Sequence, residues 1–178
     1  MLAIHQDIQE KVLDEVLQVK ADEESVQLYH LPNLNYLERI IKETLRLFPV
    51  VPFLLRRAEG DIDLGEFTIQ KDCSIAINIF HLHRNEKYWP NALKFDPDRF
   101  LPERAAKIEP GSFIPFSHGP RNCIGMKFAM MEMKTILATV IRRYRLFSSY
   151  KNLEQIELDS SIFLKPRHGY KLTLELRN

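Results

Sequence analysis

The chain has 178 residues, 45% of them hydrophobic, with 25 Lys or Arg against 24 Asp or Glu and a formal charge of +1. That balance excludes the cationic footprint of a nucleic-acid binder, and the length suits one domain with a real core or part of a larger one. Two cysteines, Cys73 and Cys123, in a chain of this size argue against a disulfide framework and for a reducing compartment.

The opening "MLAIHQDIQEKV" lacks the charged-then-apolar layout of a signal peptide. Its Ile4, Ile8, Val12 and Leu17 instead follow a helical course from about residue 4 to 20, as if a helix were already under way. This gives the expectation of a truncated chain. A polar link, "ADEESVQLYHLPN", leads to a second helix from about Leu34 to Phe48, with Leu37, Ile40, Ile41, Thr44, Leu45 and Phe48 on one stripe and Pro49 as its stop. Around it, Leu47 to Leu55 is the longest uncharged apolar stretch, far short of the roughly 18 residues that span a bilayer.

Period-two alternation in "DIDLGEFTIQ" and "CSIAINIF" about Lys71-Asp72 predicts a hairpin. From His81 to about Ser112 the sequence is rich in proline and aromatic residues without periodicity, a long irregular segment of the kind that is functional or tightly pinned. A third helix is predicted from near Ile124 to about Arg143, with Met126, Ala129, Met130, Met133, Ile136, Leu137, Val140 and Ile141 on one broad face. Its methionines read as core filler rather than a copper cluster. Finally "GYKLTLELR" has the alternation of a half-buried strand.

Chemistry concentrates in "FIPFSHGPRNCIGMKFAMMEMK". Cys123 lies just before a helix start, where orphan N–H groups and the dipole favour an anion, and Arg121 adds positive charge. Gly119 and Gly125 permit tight turns and close approach of a bulky partner, and Phe116 is placed to shield the sulfur. On these residues alone three readings stand: an inert small hydrophobe, a nucleophile with His118 as base, or a metal ligand. Zinc is disfavoured, because His81 and His83 lack a partnered cysteine pair. Cys73, in an apolar strand, reads as packing.

The run Phe116, Gly119, Arg121, Cys123, Gly125 resembles the haem-binding signature of the cytochromes P450. "ETLR", with Glu43 and Arg46, resembles their K-helix Glu-x-x-Arg, and "FDPDRF", with Arg99, the segment that completes a buried triad. The whole is most similar to family 4, the animal microsomal branch that includes many fatty-acid omega-hydroxylases. The resemblance implies a mainly α fold with small β-sheets (α+β), the C-terminal part of a larger domain with helices J, K and L, and no anchor or helices A to I. It implies haem b with Cys123 as thiolate ligand to iron, Phe116 beside the ligand, Arg121 and Arg56 on the propionates, and Gly125 letting the third helix lie against the macrocycle. It further implies a monooxygenase acting with dioxygen on a lipophilic substrate, an NADPH-dependent flavoprotein reductase docking on the Cys123 side, and an endoplasmic reticulum location set by upstream sequence. The family's oxygen-activating Ala-Gly-x-x-Thr motif does not occur in the 178 residues. A non-catalytic fragment is therefore the alternative, and only residues near 50–53 and 160–163 are expected to offer substrate contacts. By helical geometry Glu43 and Arg46 point away from the apolar stripe and would form a solvated pair, whereas the resemblance assigns them to a buried network.

Overall fold

The computed structural model describes residues 1–20 and 25–177. Residues 21–24 of the expected polar link lie outside the described residues. Three long helices supply the core: α1 (Gln6–Lys20), α2 (Asn35–Leu47) and α5 (Met126–Arg143). Helix α1 buries Ile8, Val12 and Val16, so the inward stripe continues through Val16 while Leu17 faces solvent. Its Glu15 carboxylate accepts the Tyr36 and Leu37 N–H groups at 2.6 and 2.9 Å, capping α2 from a neighbouring helix where the preceding Leu34 cannot.

Helix α2 is buried on two sides. Leu37, Ile40, Ile41, Leu45 and Leu47 enter the core with α1 and α5, and Glu43 and Arg46 are buried beneath the irregular segment that follows. The solvated-pair expectation fails here because the aperiodic chain from residue 83 to 113 folds back over the polar side of α2. A short helix, α3 (Ile79–Leu82), leads into that segment, which carries a 3-10 turn, Pro97–Phe100, and a second short helix, α4 (Pro102–Ala105). Trp89, Ala92 and Phe100 form a second small core within it, with Phe113 packed against them.

Helix α5 turns most of its expected face inward, with Ile141 buried and Met130, Met133, Leu137 and Val140 packed against the core. Its deepest residues are Lys134, Ala138 and Ile141, while Met126, Met131 and Ile136 are exposed. Burial of Lys134 is satisfied by the Leu31 carbonyl at 2.9 Å and by Glu38 at 2.6 Å.

The strands form four antiparallel pairs. β1 (Phe53–Arg57) pairs with β4 (Ser74–Asn78), β2 (Ile62–Asp63) with β3 (Thr68–Ile69), β5 (Tyr144–Ser148) with β8 (Leu172–Leu176), and β6 (Leu158–Ser160) with β7 (Leu164–Pro166). The fold is thus α+β, helices with small sheets. The hairpin expected about Lys71-Asp72 is replaced by two nested ones: a short turn at Leu64–Phe67 joins β2 to β3, and β4 returns to β1, in the register Leu55↔Ala76 and Arg56↔Ile75. Cys73 precedes β4 and is exposed rather than packed, because the left-handed backbone at Asp72 turns the chain outside the strand. The closing strand β8 is exposed along its whole length instead of half-buried, since its one paired neighbour is β5 and among the described residues nothing covers its leucines. No described helix is long and apolar enough to cross a membrane.

Candidate functional site

Residues 113–125 form a loop that ends on α5 and presents Cys123 with an exposed thiol. The loop is closed from within: the Cys123 N–H donates to the Phe116 carbonyl at 2.9 Å, Asn122 N–H to the Gly119 carbonyl at 3.1 Å, and Ser117 N–H to the Ile114 carbonyl at 3.0 Å. Ser117 (φ 67°) and Gly119 (φ 83°) both take left-handed backbone. For serine this costs about 1 kcal/mol, and Arg56 holds it there by donating from Nη2 to Ser117 Oγ at 2.8 Å. The sequence offered no sign of the Ser117 contact, which depends on the pairing of β1 with β4.

Phe116 is half-buried against the main core and anchors the loop from below. Above, a Cβ built on Gly125 meets only Cys123 Sγ, at 3.9 Å, so glycine leaves open space beside the thiol. Ile124 is fully exposed and Phe128, one helical turn on, is 67% exposed, which frames the sulfur with bare apolar surface. Arg121 is exposed two residues before Cys123, and Arg56 reaches the loop from β1 through Ser117. His118 and Cys123 are both exposed, and among the described residues no hydrogen bond joins them.

The loop's other end is set by the buried charges. Arg46 donates from Nε and Nη2 to the Glu43 carboxylate at 2.8 and 2.9 Å, and Arg99 Nε lies 3.3 Å from Glu43 Oε1. The Asp96 N–H donates to the same oxygen at 2.9 Å. Arg46 also donates to the carbonyls of His83 at 2.7 Å and Lys94 at 3.3 Å, and Arg99 to that of Asn91 at 2.8 Å. One carboxylate and two guanidinium groups thereby satisfy backbone groups across the irregular segment, which is how charges at near-zero exposure are tolerated. The Arg46 guanidinium lies 5.2 Å from the Trp89 ring centre. Phe113, at the loop's start, stands 4.8 Å from Phe100 and 6.1 Å from Trp89 between ring centres.

Sequence reasoning missed His83. It is fully buried, and its Nε2 accepts the Ile114 N–H at 2.9 Å. Burial, then the neighbouring Arg46, push its pKa down to about 4, against the opposing pull of the Arg46 and Leu45 carbonyls, with Arg84 adding to the fall. In the sequence it stands, with His81, only as a zinc candidate, disfavoured for want of a partnered cysteine pair.

Two further features border the loop. A cleft of about 690 Å³ between α2, α5 and the loop is lined by Lys42, Lys127, Lys134, His118, Phe116 and Met130. The segments expected to meet substrate are brought together, the Leu164 N–H donating to the Val50 carbonyl at 2.8 Å, with Val50, Phe53, Ile162 and Phe163 exposed beside that bond.

The family model described as Cytochrome P450 matches residues 1–174. Among curated relatives, the chain is 39% identical to the probable cytochrome P450 4ac1 of Drosophila melanogaster, over 99% of this chain and 35% of that protein. It is 40% identical to cytochrome P450 4g1 of the same fly, over 99% of this chain and 32% of that protein. It is also 40% identical to human cytochrome P450 4V2, over 100% of this chain and 34% of that protein. The chain thus spans about a third of the length of the curated relatives it matches.

Proposed function

The chain belongs to the cytochrome P450 family, and from that premise we propose that it is the thiolate-ligand portion of a haem monooxygenase of the family 4 type. The observation that carries the proposal is an exposed Cys123 thiol on a loop whose backbone is fixed on both sides, with open space over Gly125 and bare apolar surface around it. A soft sulfur donor suits iron, a glycine floor suits a flat macrocycle, and flanking arginines suit its propionates. The residues present fit haem b, which would supply the redox-active iron that activates dioxygen.

In this reading Cys123 binds the iron, and the Phe116 carbonyl orients it by accepting the Cys123 N–H. The Phe116 ring, packed against the main core, anchors the loop that carries the sulfur. Arg56 and Arg121 bind propionates, Arg56 from a guanidinium already ordered by Ser117. Glu43, Arg46 and Arg99 touch no reacting atom and hold the irregular segment, and through it the loop, in place.

The complete enzyme would insert one oxygen atom from dioxygen into a lipophilic substrate, with a fatty acid as the class that family 4 suggests. The exposed apolar segments at 50–53 and 162–163 would form part of its substrate wall. Electrons would arrive from an NADPH-dependent flavoprotein reductase at the cleft lined by Lys42 and Lys127. The membrane of the endoplasmic reticulum would be reached through sequence outside these residues. By itself the chain is expected to lack turnover, because the family's oxygen-activating Ala-Gly-x-x-Thr motif does not occur in the 178 residues.

The test is a reduced carbon-monoxide difference spectrum of the purified chain after incubation with haem b. A thiolate-type Soret band that disappears in Cys123→Ser is the expected result. Absence of haem uptake, or a band unchanged in Cys123→Ser, would refute the proposal.

A further inference from the structure

His83 lies far from Cys123 in sequence, yet it is the link between the buried charges and the loop that carries the thiol. Its carbonyl accepts from Arg46 Nη1 at 2.7 Å, and its ring accepts the Ile114 N–H at 2.9 Å. From Ile114 the path continues through bonds already described: the Ile114 carbonyl accepts from Ser117, Ser117 is held by Arg56, and the Phe116 carbonyl accepts from Cys123. Phe113 lies 5.3 Å from the His83 ring between centres, so adjacent loop residues are held by one imidazole, one through stacking and one through a hydrogen bond.

We infer that His83 is a positioning residue for the Cys123 thiol, a neutral acceptor that pins the start of the loop to the Glu43–Arg46–Arg99 network. The inference rests on the reading of Cys123 as the haem ligand. An acceptor role at Nε2 places the ring's single proton on Nδ1, and no other ring state can take the Ile114 N–H there. The charged groups that bear on the ring are Arg46 of α2, itself paired with Glu43, and the adjoining Arg84, whose guanidinium lies 3.5 Å from the Phe80 ring centre. Both are cations, so the surroundings resist the imidazolium that would abolish the bond. An aliphatic side chain at position 83 would leave the Ile114 N–H without its acceptor. Glutamine keeps an acceptor oxygen and cannot titrate.

Amide hydrogen exchange on the haem-free 178-residue chain tests the contact. Ile114 should be protected in the unmutated chain and in His83→Gln, and in His83→Leu its exchange should rise on the order of tenfold while core amides such as Val12 and Leu37 keep their protection. On acidification the unmutated chain should lose Ile114 protection near pH 4 and His83→Gln should not. Unchanged protection in His83→Leu overturns the inference. Should His83→Leu fail to fold, the decision passes to acidification, where a loss shared by His83→Gln overturns it. In the haem-loaded chain, His83→Leu should lower the thiolate fraction of the reduced carbon-monoxide spectrum at constant haem content, and His83→Gln should restore it. A thiolate fraction equal in all three variants defeats the positioning role. Absence of any thiolate band in the unmutated chain defeats the haem reading instead, and Ile114 exchange then shows whether His83 holds the loop.

Discussion

Beneath the loop, charged side chains are buried: Glu43 and Arg46 at 0% exposure and Arg99 at 7%, surrounded by Trp89, Phe100 and Phe113. Beside the thiol the order is reversed, with Ile124 and Phe128 bare to solvent, and elsewhere on the surface Leu55 and the three leucines of β8 are bare as well. The difference teaches that the two regions solve separate problems. Glu43 is the shared counter-charge of Arg46 and Arg99, and the three side chains also meet several backbone groups, so the network defines a geometry from residues of this chain. The exposed apolar side chains bury little by themselves, and bare surface of this kind marks a place where a ligand or another polypeptide surface docks.

Glu43→Ala should break the comparison most severely. It leaves two guanidinium groups buried without a counter-charge, a loss of about 3–5 kcal/mol, enough to unfold a chain of this size or prevent haem uptake. Urea denaturation and haem titration would measure both, and an unperturbed variant would mean that the network is ornamental.

Next in size is the pH response of His83. Its pKa in the folded chain is about 4 against an ordinary 6.5, so the unfolded chain gains a proton below pH 6.5 that the folded chain refuses until about pH 4. Its contribution is therefore fully present above pH 6.5, shrinks as pH falls, and is gone below pH 4, a loss of about 3 kcal/mol. Denaturation midpoints of the unmutated chain and His83→Gln, compared at intervals across that range, should converge and cross as the native histidine loses its advantage.

Glu15→Ala removes the cap that α1 gives to α2 and should cost about 1 kcal/mol, read from the same denaturation curves. At the other end of the scale, Ile124→Ser should change the stability of the haem-free chain by less than about 0.5 kcal/mol, because that side chain touches solvent on all sides. A large loss from Ile124→Ser would show that the thiol face is a core after all and erase the contrast.

The strongly periodic parts of the fold were legible before the structure. The three long helices appear within a few residues of their expected ends, because their apolar spacing and Pro49 are local signals. Strand pairing was not legible, since β4 could be expected beside β3 or β1 with equal justice and only the tertiary return to Arg56 decides it. The burial of Glu43 and Arg46 was invisible to periodicity, which takes the polar side of an amphipathic helix as the solvent side. It followed from the family resemblance alone, as did haem as the partner of Cys123. His83 and Ser117 gave no sequence signal, because each acts through one long-range hydrogen bond to an aperiodic loop. Gly125 was legible as a place of close approach, and the structure gives it a neighbour, Cys123 Sγ.

The central claim is that Cys123, and not merely some exposed thiol, is the iron ligand. Both cysteines are free and exposed, so Cys73 serves as an internal control. The most direct measurement is alkylation of the two thiols, followed by mass spectrometry with and without stoichiometric haem b. Both should react in the free chain, and haem should protect Cys123 while Cys73 reacts as before. Equal reactivity of Cys123 with and without bound haem, or equal protection of both thiols, would contradict the account.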